Sequence, residues 1–260
     1  MNPILEVENI TKTFLSPISL NNLLGLRLKN RISTLALKDI SFSLRKGAVL
    51  GILGSNGAGK TTLLKIISTL ILPDEGTVKV DGFRLGGDDE KIKSSVGLVL
   101  DEERSFYWRL TGRQNLEFFA TLYGLSTKDA KIRIEKLLGL FEVDYADKRF
   151  DSYSTGMKKH FALMRALMHE PELVLFDEPT KSLDYTSALN LRNFIKESLV
   201  KKQGKTVIFT THQMAEALDF ADLFMILHKS RLLDFGTLDD LRNRIHNPTA
   251  SLNEIYLRLT

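Results

Sequence analysis

The sequence has no cysteine, so disulfide frameworks and thiolate metal sites are excluded. Long apolar runs are missing too. None approaches the roughly 20 residues a membrane-crossing helix requires, so any role at a membrane is expected to be peripheral. Met1–Glu8 carries two acids within an apolar alternation and lacks the apolar core of a secretory leader. There is no internal repeat and no low-complexity tract. Nor is there a strong excess of one charge: 36 Lys and Arg face 32 Asp and Glu, a formal net charge of +4. That balance suits a nucleic-acid surface and an anionic membrane leaflet equally and selects neither. What is present, 43% hydrophobic and 26% charged residues over 260 positions, fits an ordinary globular chain holding one large domain, or a core with an inserted lobe.

The apolar segments are short and regularly spaced. Ala48–Leu53, Val96–Leu100, Leu173–Phe176, Thr206–Thr210 and Leu223–Leu227 read as strands covered on both faces. Helical stretches at Thr61–Leu70, Tyr185–Lys202 and Gln213–Phe220 alternate with them, which implies a parallel α/β core. Ile4, Leu5, Val7 and Ile10 predict an earlier strand, Ile40, Phe42 and Leu44 an alternating one, and Thr77–Val80 another after the turn Pro73–Gly76. From Thr111 to about Leu140 the pattern changes to helices with charged faces, an inserted helical lobe. Leu252–Leu259 reads as a short closing helix. Leu15–Ser33 differs in kind: Arg27, Lys29 and Arg31 occur without any acid, and Leu20, Leu23, Leu24 and Leu28 fall near helical spacing. Such a basic insertion suits anionic headgroups, the edge of a membrane partner, or a mobile hydrophilic loop.

Gly54-Ser55-Asn56-Gly57-Ala58-Gly59-Lys60-Thr61 matches G-x-x-x-x-G-K-[ST], with a buried strand before it and a helix after it. The glycines let consecutive backbone N–H groups turn inward onto phosphate oxygens, and the helix N-terminus adds its positive dipole end. Lys60 would supply a full charge to the β- and γ-phosphates, and the Thr61 hydroxyl would ligate Mg²⁺, with Thr62 extending the phosphate-binding run. Leu173-Val174-Leu175-Phe176-Asp177-Glu178 is an apolar strand ending in two acids. Strand C-termini face the ligand crevice of a parallel α/β fold. Asp177 is therefore a candidate to hold Mg²⁺, and Glu178 a candidate base to polarise the attacking water.

With these residues in place, nearly the whole chain resembles the ATPase subunits of ABC transporters. Asp177-Glu178-Pro179-Thr180 running into Lys181-Ser182-Leu183-Asp184 is similar to that family's Walker B strand and D-loop. Tyr153-Ser154-Thr155-Gly156-Met157 stands in the place of its LSGGQ signature, and Thr210-Thr211-His212 ends a strand where the family carries its switch histidine. The resemblance implies a P-loop NTPase core with a parallel sheet, an N-terminal antiparallel β subdomain and an inserted α-helical subdomain. The core would take residues 1–98 and 161–260, and the helical part residues 99–160. It implies Phe14 stacking on adenine, His212 holding the γ-phosphate and attacking water, and two subunits packed head to tail. In that arrangement Ser154 and Gly156 of one subunit cap the ATP bound by the other, and Asp184 works across the interface. His160, His169, His228 and His246 lack such a setting and are expected at the surface.

The chain also departs from the family pattern. Thr155 replaces the first signature glycine and Met157 the glutamine. The loop glutamine expected after Val96–Leu100 is replaced by Asp101-Glu102-Glu103. Asp101 or Glu102 would stand in for it as a water-mediated Mg²⁺ ligand, or the run is a solvated acidic turn. The next segment, Arg104-Ser105-Phe106-Tyr107-Trp108-Arg109-Leu110-Thr111, sets three aromatics between arginines. That composition suits a protein interface, and the resemblance implies docking of a separate transmembrane permease there. Tyr-Ser-Thr-Gly-Met, the run Glu103–Leu116 and the C-terminal segment Ser251–Leu259 look like the ATPases of drug, glycolipid or polysaccharide exporters. The implied subunit binds no nucleic acid and works at the cytoplasmic face of the cell membrane as a peripheral protein. Its partner ATPase would be a second copy or a paralogue. The alternatives are a soluble ABC ATPase acting on ribosomes or nucleic acid, and a nucleotide-binding regulator that hydrolyses nothing.

Overall fold

The computed structural model describes residues 3–15, 33–100 and 105–260. All of the insertion 15–33 except its end residues Leu15 and Ser33 lies outside them, as do Asp101, Glu102, Glu103 and Arg104. Two sheets form the body. The first is antiparallel: β1 (Leu5–Leu15), β2 (Ser33–Leu44), β4 (Glu75–Val80) and β5 (Phe83–Arg84) lie in the order β2-β1-β4-β5. The second combines β3 (Val49–Leu53), β6 (Val96–Val99), β7 (Leu173–Asp177), β8 (Thr206–Thr211), β9 (Leu223–His228) and β10 (Arg231–Gly236) in the order β10-β9-β3-β8-β7-β6.

Five strands of the second sheet, β9, β3, β8, β7 and the edge strand β6, are parallel because helices cross over between them. β3, β7 and β8 are buried at every residue, so apolar side chains must leave both faces, and the period of two divides them cleanly. Leu50, Ile52, Leu173, Leu175 and Ile208 join Leu5, Val7, Leu37 and Ile40 of the antiparallel sheet and the apolar face of α1 (Lys60–Ile67). Val49, Leu53, Val174, Phe176, Val207 and Phe209 point the other way. They meet α3 (Gly112–Leu122), α4 (Thr127–Leu140) and α5 (Thr155–Leu167), together with helices that follow β7. Each fully buried Leu, Ile or Phe contributes about 1.5–3 kcal/mol, so these two layers hold the sheet's crevice end in place.

Gly97 in β6 marks where packing is tightest. A Cβ there would sit 2.5 Å from the Ala166 carbonyl oxygen and 2.9 Å from Pro171 Cγ, so α5 and its exit press directly on the strand. Gly97→Ala is expected to cost about 2–3 kcal/mol by overpacking. Denaturant titration checks this, and a midpoint unchanged from wild type would contradict the close approach. The C-terminus of α5 is held by Arg133, whose Nε donates to Met168 O at 3.2 Å and whose guanidinium also reaches Leu167 O and pairs with Glu170.

Several expectations are corrected. The expected parallel core is present, and it carries one unanticipated antiparallel edge strand, β10, paired with β9. The turn between them places Lys229 at φ 45° and Ser230 at φ 69°, both left-handed, as tight hairpins require, but without the Asn or Gly that announces such a turn. α2 (Asp89–Ser95) and a helix after β10, α8 (Leu238–Arg244), were also not anticipated; the latter is closed by a Thr237–Asp240 capping box. The helix expected over 185–202 is α-helical only at α6 (Tyr185–Asn193) and winds on as a π-helix through Phe194–Lys202. Three of the four histidines expected at the surface are not exposed. His160 Nδ1 lies 3.2 Å from Tyr145 Oη and His169 Nε2 lies 3.0 Å from Val96 O, and burial lowers both imidazole pKa values. His228 has both ring nitrogens buried. Only His246 is exposed. Among the described residues no helix is long and apolar enough to cross a membrane.

Candidate nucleotide site

The parallel register aligns the ends of three strands. Leu53 of β3 pairs with Thr211 of β8, and Asp177 of β7 pairs with Thr210, so the loop after β3 and the acids after β7 open on one crevice. Gly59 is the N-cap of α1 at φ 106°, and a Cβ on it would strike the Ala36 carbonyl and Leu37; only glycine closes this loop. The crevice holds a cavity of about 360 Å³. It is lined by Asn56, Gly57, Ala58, Gly59, Lys60, Thr61 and Thr62 from the loop and α1, by Asp177 and Glu178, by Lys181, and by Phe14, Thr34, Leu35 and Ala36 from the antiparallel sheet. Ser55 borders it through its carbonyl, which accepts from Lys60 Nζ at 3.2 Å. Phe14, 39% exposed, presents a ring at the rim with Lys12 Nζ 5.7 Å from its centroid.

Lys60 is 6% exposed, and its Nζ donates to Gly54 O at 2.7 Å. Burial pulls the ammonium's pKa below its ordinary value, and the charges of Glu178 and Asp177 work against that shift. Thr61 Oγ1 donates to Asp177 Oδ2 at 2.8 Å, and Thr210 Oγ1 donates to Asp177 Oδ1 at 2.7 Å. Thr210 also accepts from the Glu178 N–H at 3.0 Å. The Glu178 side chain turns the other way: Oε2 lies 2.8 Å from His212 Nδ1, and Oε1 lies 3.9 Å from Lys60 Nζ. At the cavity wall an acid thus faces a buried lysine and is contacted by His212, which lies outside the lining, all next to a carboxyl–hydroxyl pair. These last are hard oxygen donors of the kind Mg²⁺ accepts alongside substrate phosphates.

His212, Ser154, Gly156 and Asp184 do not line this cavity. Ser154 is the N-cap of α5, accepting from Met157 N at 3.3 Å, and Gly156 lies in the first turn. The helix therefore starts within the signature segment, at Thr155. Tyr153 anchors that start: it is 4% exposed, donates to Tyr145 O at 2.9 Å, and has its phenol pKa pushed up to about 12 by burial. Asp184 caps α6, accepting from Ser187 N at 3.0 Å and Ser187 Oγ at 2.6 Å, contacts that hold its carboxyl below the usual range.

Sequence reasoning missed Thr210 as the second support of Asp177. It also missed Lys159, whose Nζ donates to Pro179 O at 2.9 Å and Lys181 O at 2.6 Å and so ties the segment after Glu178 to α5. Lys181 at the cavity wall was read only as part of the D-loop. The signal for Thr210 was present, since a hydroxyl at the buried end of a strand beside an acidic strand end has few other uses. Nothing local marks Lys159.

A loop that closes only with glycine, a buried ammonium at a helix N-terminus and an acid held by two hydroxyls suit a polyphosphate carrying a divalent cation better than any uncharged ligand. Fold and site therefore define a P-loop nucleoside triphosphatase. Residues 37–181 match the family model described as ABC transporter. The ABC transporter ATP-binding protein NatA of Bacillus subtilis is 40% identical over 223 residues, covering 85% of this chain and 89% of NatA. The linearmycin resistance ATP-binding protein LnrL of the same organism is 36% identical, covering 85% and 72% of the respective chains. Among solved structures, an ATP-binding subunit of an ABC transporter superposes with a TM-score of 0.81 at 30% identity, covering 98% of this chain and 99% of that one. A dimeric ATP-binding cassette in a post-hydrolysis state with ADP and Pi gives 0.75 at 25% identity, covering 90% and 98%. The chain belongs to the ABC transporter family, as an ATP-binding subunit that hydrolyses ATP.

Proposed function

We propose that this subunit closes on a second copy of itself, or on a paralogous ATPase, around two ATP molecules and so drives export through a separate transmembrane permease. The observation that carries the reading is the division of the site. Lys60, Thr61, Asp177 and Glu178 line one cavity, with His212 in contact with Glu178 from outside the lining, while Ser154 and Gly156 begin a separate helix and are not part of that lining. The N-terminus of α5 is a second anion-binding end that needs a phosphate from elsewhere, and a partner's ATP supplies one.

In this mechanism the Gly54–Gly59 N–H groups and Lys60 hold the β- and γ-phosphates, and Phe14 stacks on the adenine. Thr61 and Asp177 would hold Mg²⁺, which would supply positive charge beside the phosphates. Asp101 is assigned as a further ligand by resemblance alone. Glu178 polarises the attacking water, and His212, held at Nδ1, keeps the water and γ-phosphate in line. Asp184 acts across the interface. The closed pair is stabilised by contacts that exist only with ATP in place, so hydrolysis reopens it.

The permease is assigned to the surface after β6. Phe106 is 5% exposed and stacks on Phe150 at 4.5 Å, whereas Tyr107 and Trp108 are 50% and 59% exposed. The buried Asn115 side chain accepts from Tyr107 N at 2.8 Å and donates to Tyr107 O at 3.1 Å, and this fixes the loop with both rings outward. Large exposed aromatics are typical anchors of an interface. The helices at 99–160 would then act as the lobe that carries this surface between core segments 1–98 and 161–260. The drug-resistance relative supports export, and ATP supply places the subunit at the cytoplasmic face of the membrane. Trp108→Ala together with Tyr107→Ala is expected to lower the membrane-associated fraction in the native host at least about tenfold. Fractionation and quantitative blotting measure it, with ATP affinity as the folding control. An unchanged membrane fraction would remove this surface from the proposal.

A further inference from the structure

Glu216 lies on the first turn of α7 (Met214–Phe220), four residues past the switch histidine, and is only 4% exposed. Nothing in the mechanism above uses it. Its two carboxyl oxygens reach two different segments: Oε1 accepts from Thr180 Oγ1, and Oε2 accepts from Thr211 Oγ1. Thr180 stands two residues after Glu178, and Thr211 stands one before His212. Thr211 Oγ1 in turn accepts from the Gln213 N–H at 3.0 Å, so the turn carrying His212 is tied on both sides.

We propose that Glu216 is a positioning residue for hydrolysis, a buried brace that sets the distance between Glu178 and His212. The proposal rests on the reading of Glu178 as the base and extends it. Three physical points support it. A carboxyl group is costly to bury and is tolerated only with partners, and a well-packed apolar side chain commonly stabilises a core more. Filling space is therefore a poor account of an acid here. Glu178 has φ 50°, a left-handed backbone that a residue with a side chain keeps only when its surroundings over-determine it. The surroundings do so: Thr210 receives its N–H, Lys159 holds the carbonyls that follow, and Glu216 holds Thr180. Finally, the brace joins segments 36 residues apart in the chain, just beyond the 2.8 Å contact between Glu178 and His212.

The test uses the full chain with five variants, Glu216→Ala, Glu216→Gln, Thr180→Val, Glu178→Gln and the double Glu216→Ala/Glu178→Gln. ATPase kcat and KM are measured per nucleotide-binding-competent molecule. Glu216→Ala is expected to lower kcat about 30–100-fold while KM moves less than about threefold, since an error near 1 Å at the reacting groups costs on the order of 10²-fold. Glu216→Gln keeps one acceptor and offers an amide donor to the other hydroxyl, which rotates to suit. It is expected to recover to within about fivefold of wild type. Thr180→Val, nearly isosteric, is expected to lower kcat about tenfold, and it decides the matter if Glu216→Ala fails to fold. Adding Glu216→Ala to Glu178→Gln is expected to change the residual rate less than about twofold, because both act on one step. Wild-type kcat in Glu216→Ala or Thr180→Val, or equal losses in the Ala and Gln variants, overturns the brace. If Glu178→Gln hydrolyses normally, the reading of Glu178 itself fails; if it is inert while Glu216→Ala is normal, only the brace fails.

Discussion

Glu178→Gln is expected to bind ATP with near-wild-type affinity and to hydrolyse it on the order of 10³-fold more slowly, within the 10²–10⁴ range that a positioned general base contributes. The substitution is nearly isosteric. The amide keeps a hydrogen-bonding group opposite His212 Nδ1, where the carboxylate stands at 2.8 Å, but it has no basicity to take up a proton from water. The Glu178 N–H bond to Thr210 is untouched, so the strand end and Asp177 stay in register. In the proposed mechanism hydrolysis reopens the closed pair, so the variant with ATP should run as a dimer in size-exclusion chromatography, while wild type returns to its ADP form. Persistent monomer in excess ATP would contradict the two-subunit reading, and undiminished turnover would contradict the role of Glu178.

Lys60→Ala is expected to weaken ATP binding by roughly 10²–10³-fold, because it removes the cation proposed to make charge-assisted contacts with the terminal phosphates in a partly dehydrated cavity. Thermal denaturation with and without nucleotide reads this directly. At 100-fold excess over its Kd, a ligand stabilises the folded state by about 2.7 kcal/mol, and most of that vanishes once Kd rises past the ligand concentration. The nucleotide-free protein should not lose comparable stability. Burial already lowers the Lys60 pKa despite two nearby acids, so the ammonium is held there against its own solvation preference. A variant that retained the full ATP-dependent shift would show that Lys60 does not contact phosphate.

The phosphate loop, the acidic strand end and the order of strands and helices around them were legible in the sequence because each is written locally. Gly54–Thr61 announces itself by glycine spacing, and β3 and β7 by apolar runs too short for helices and too continuous for a sheet with a wet face. The misreadings share one cause, which is that their determinants are distant in the chain. β10 is an edge strand whose turn uses Lys229 and Ser230, residues without the left-handed preference of Gly or Asn, and Ser230 is placed by contacts with Leu35 O and with the Lys38 N–H. His160 and His169 read as surface residues because nothing beside them in sequence buries them; Tyr145 and Val96 do so from other elements.

The sequence by itself determined that a triphosphate-binding loop lies between a buried strand and a helix, and that two acids end another strand, because short-range turn geometry and side-chain periodicity suffice for that. Only the tertiary structure decided which groups support those acids. Thr210 under Asp177, Lys159 on the Pro179 carbonyl, and Glu216 between Thr180 and Thr211 are meetings of groups 20 to 36 residues apart in all but the last contact. The physical reason is that parallel strand order sets which ends become neighbours, and that order is chosen by burial of both sheet faces, which no single segment encodes.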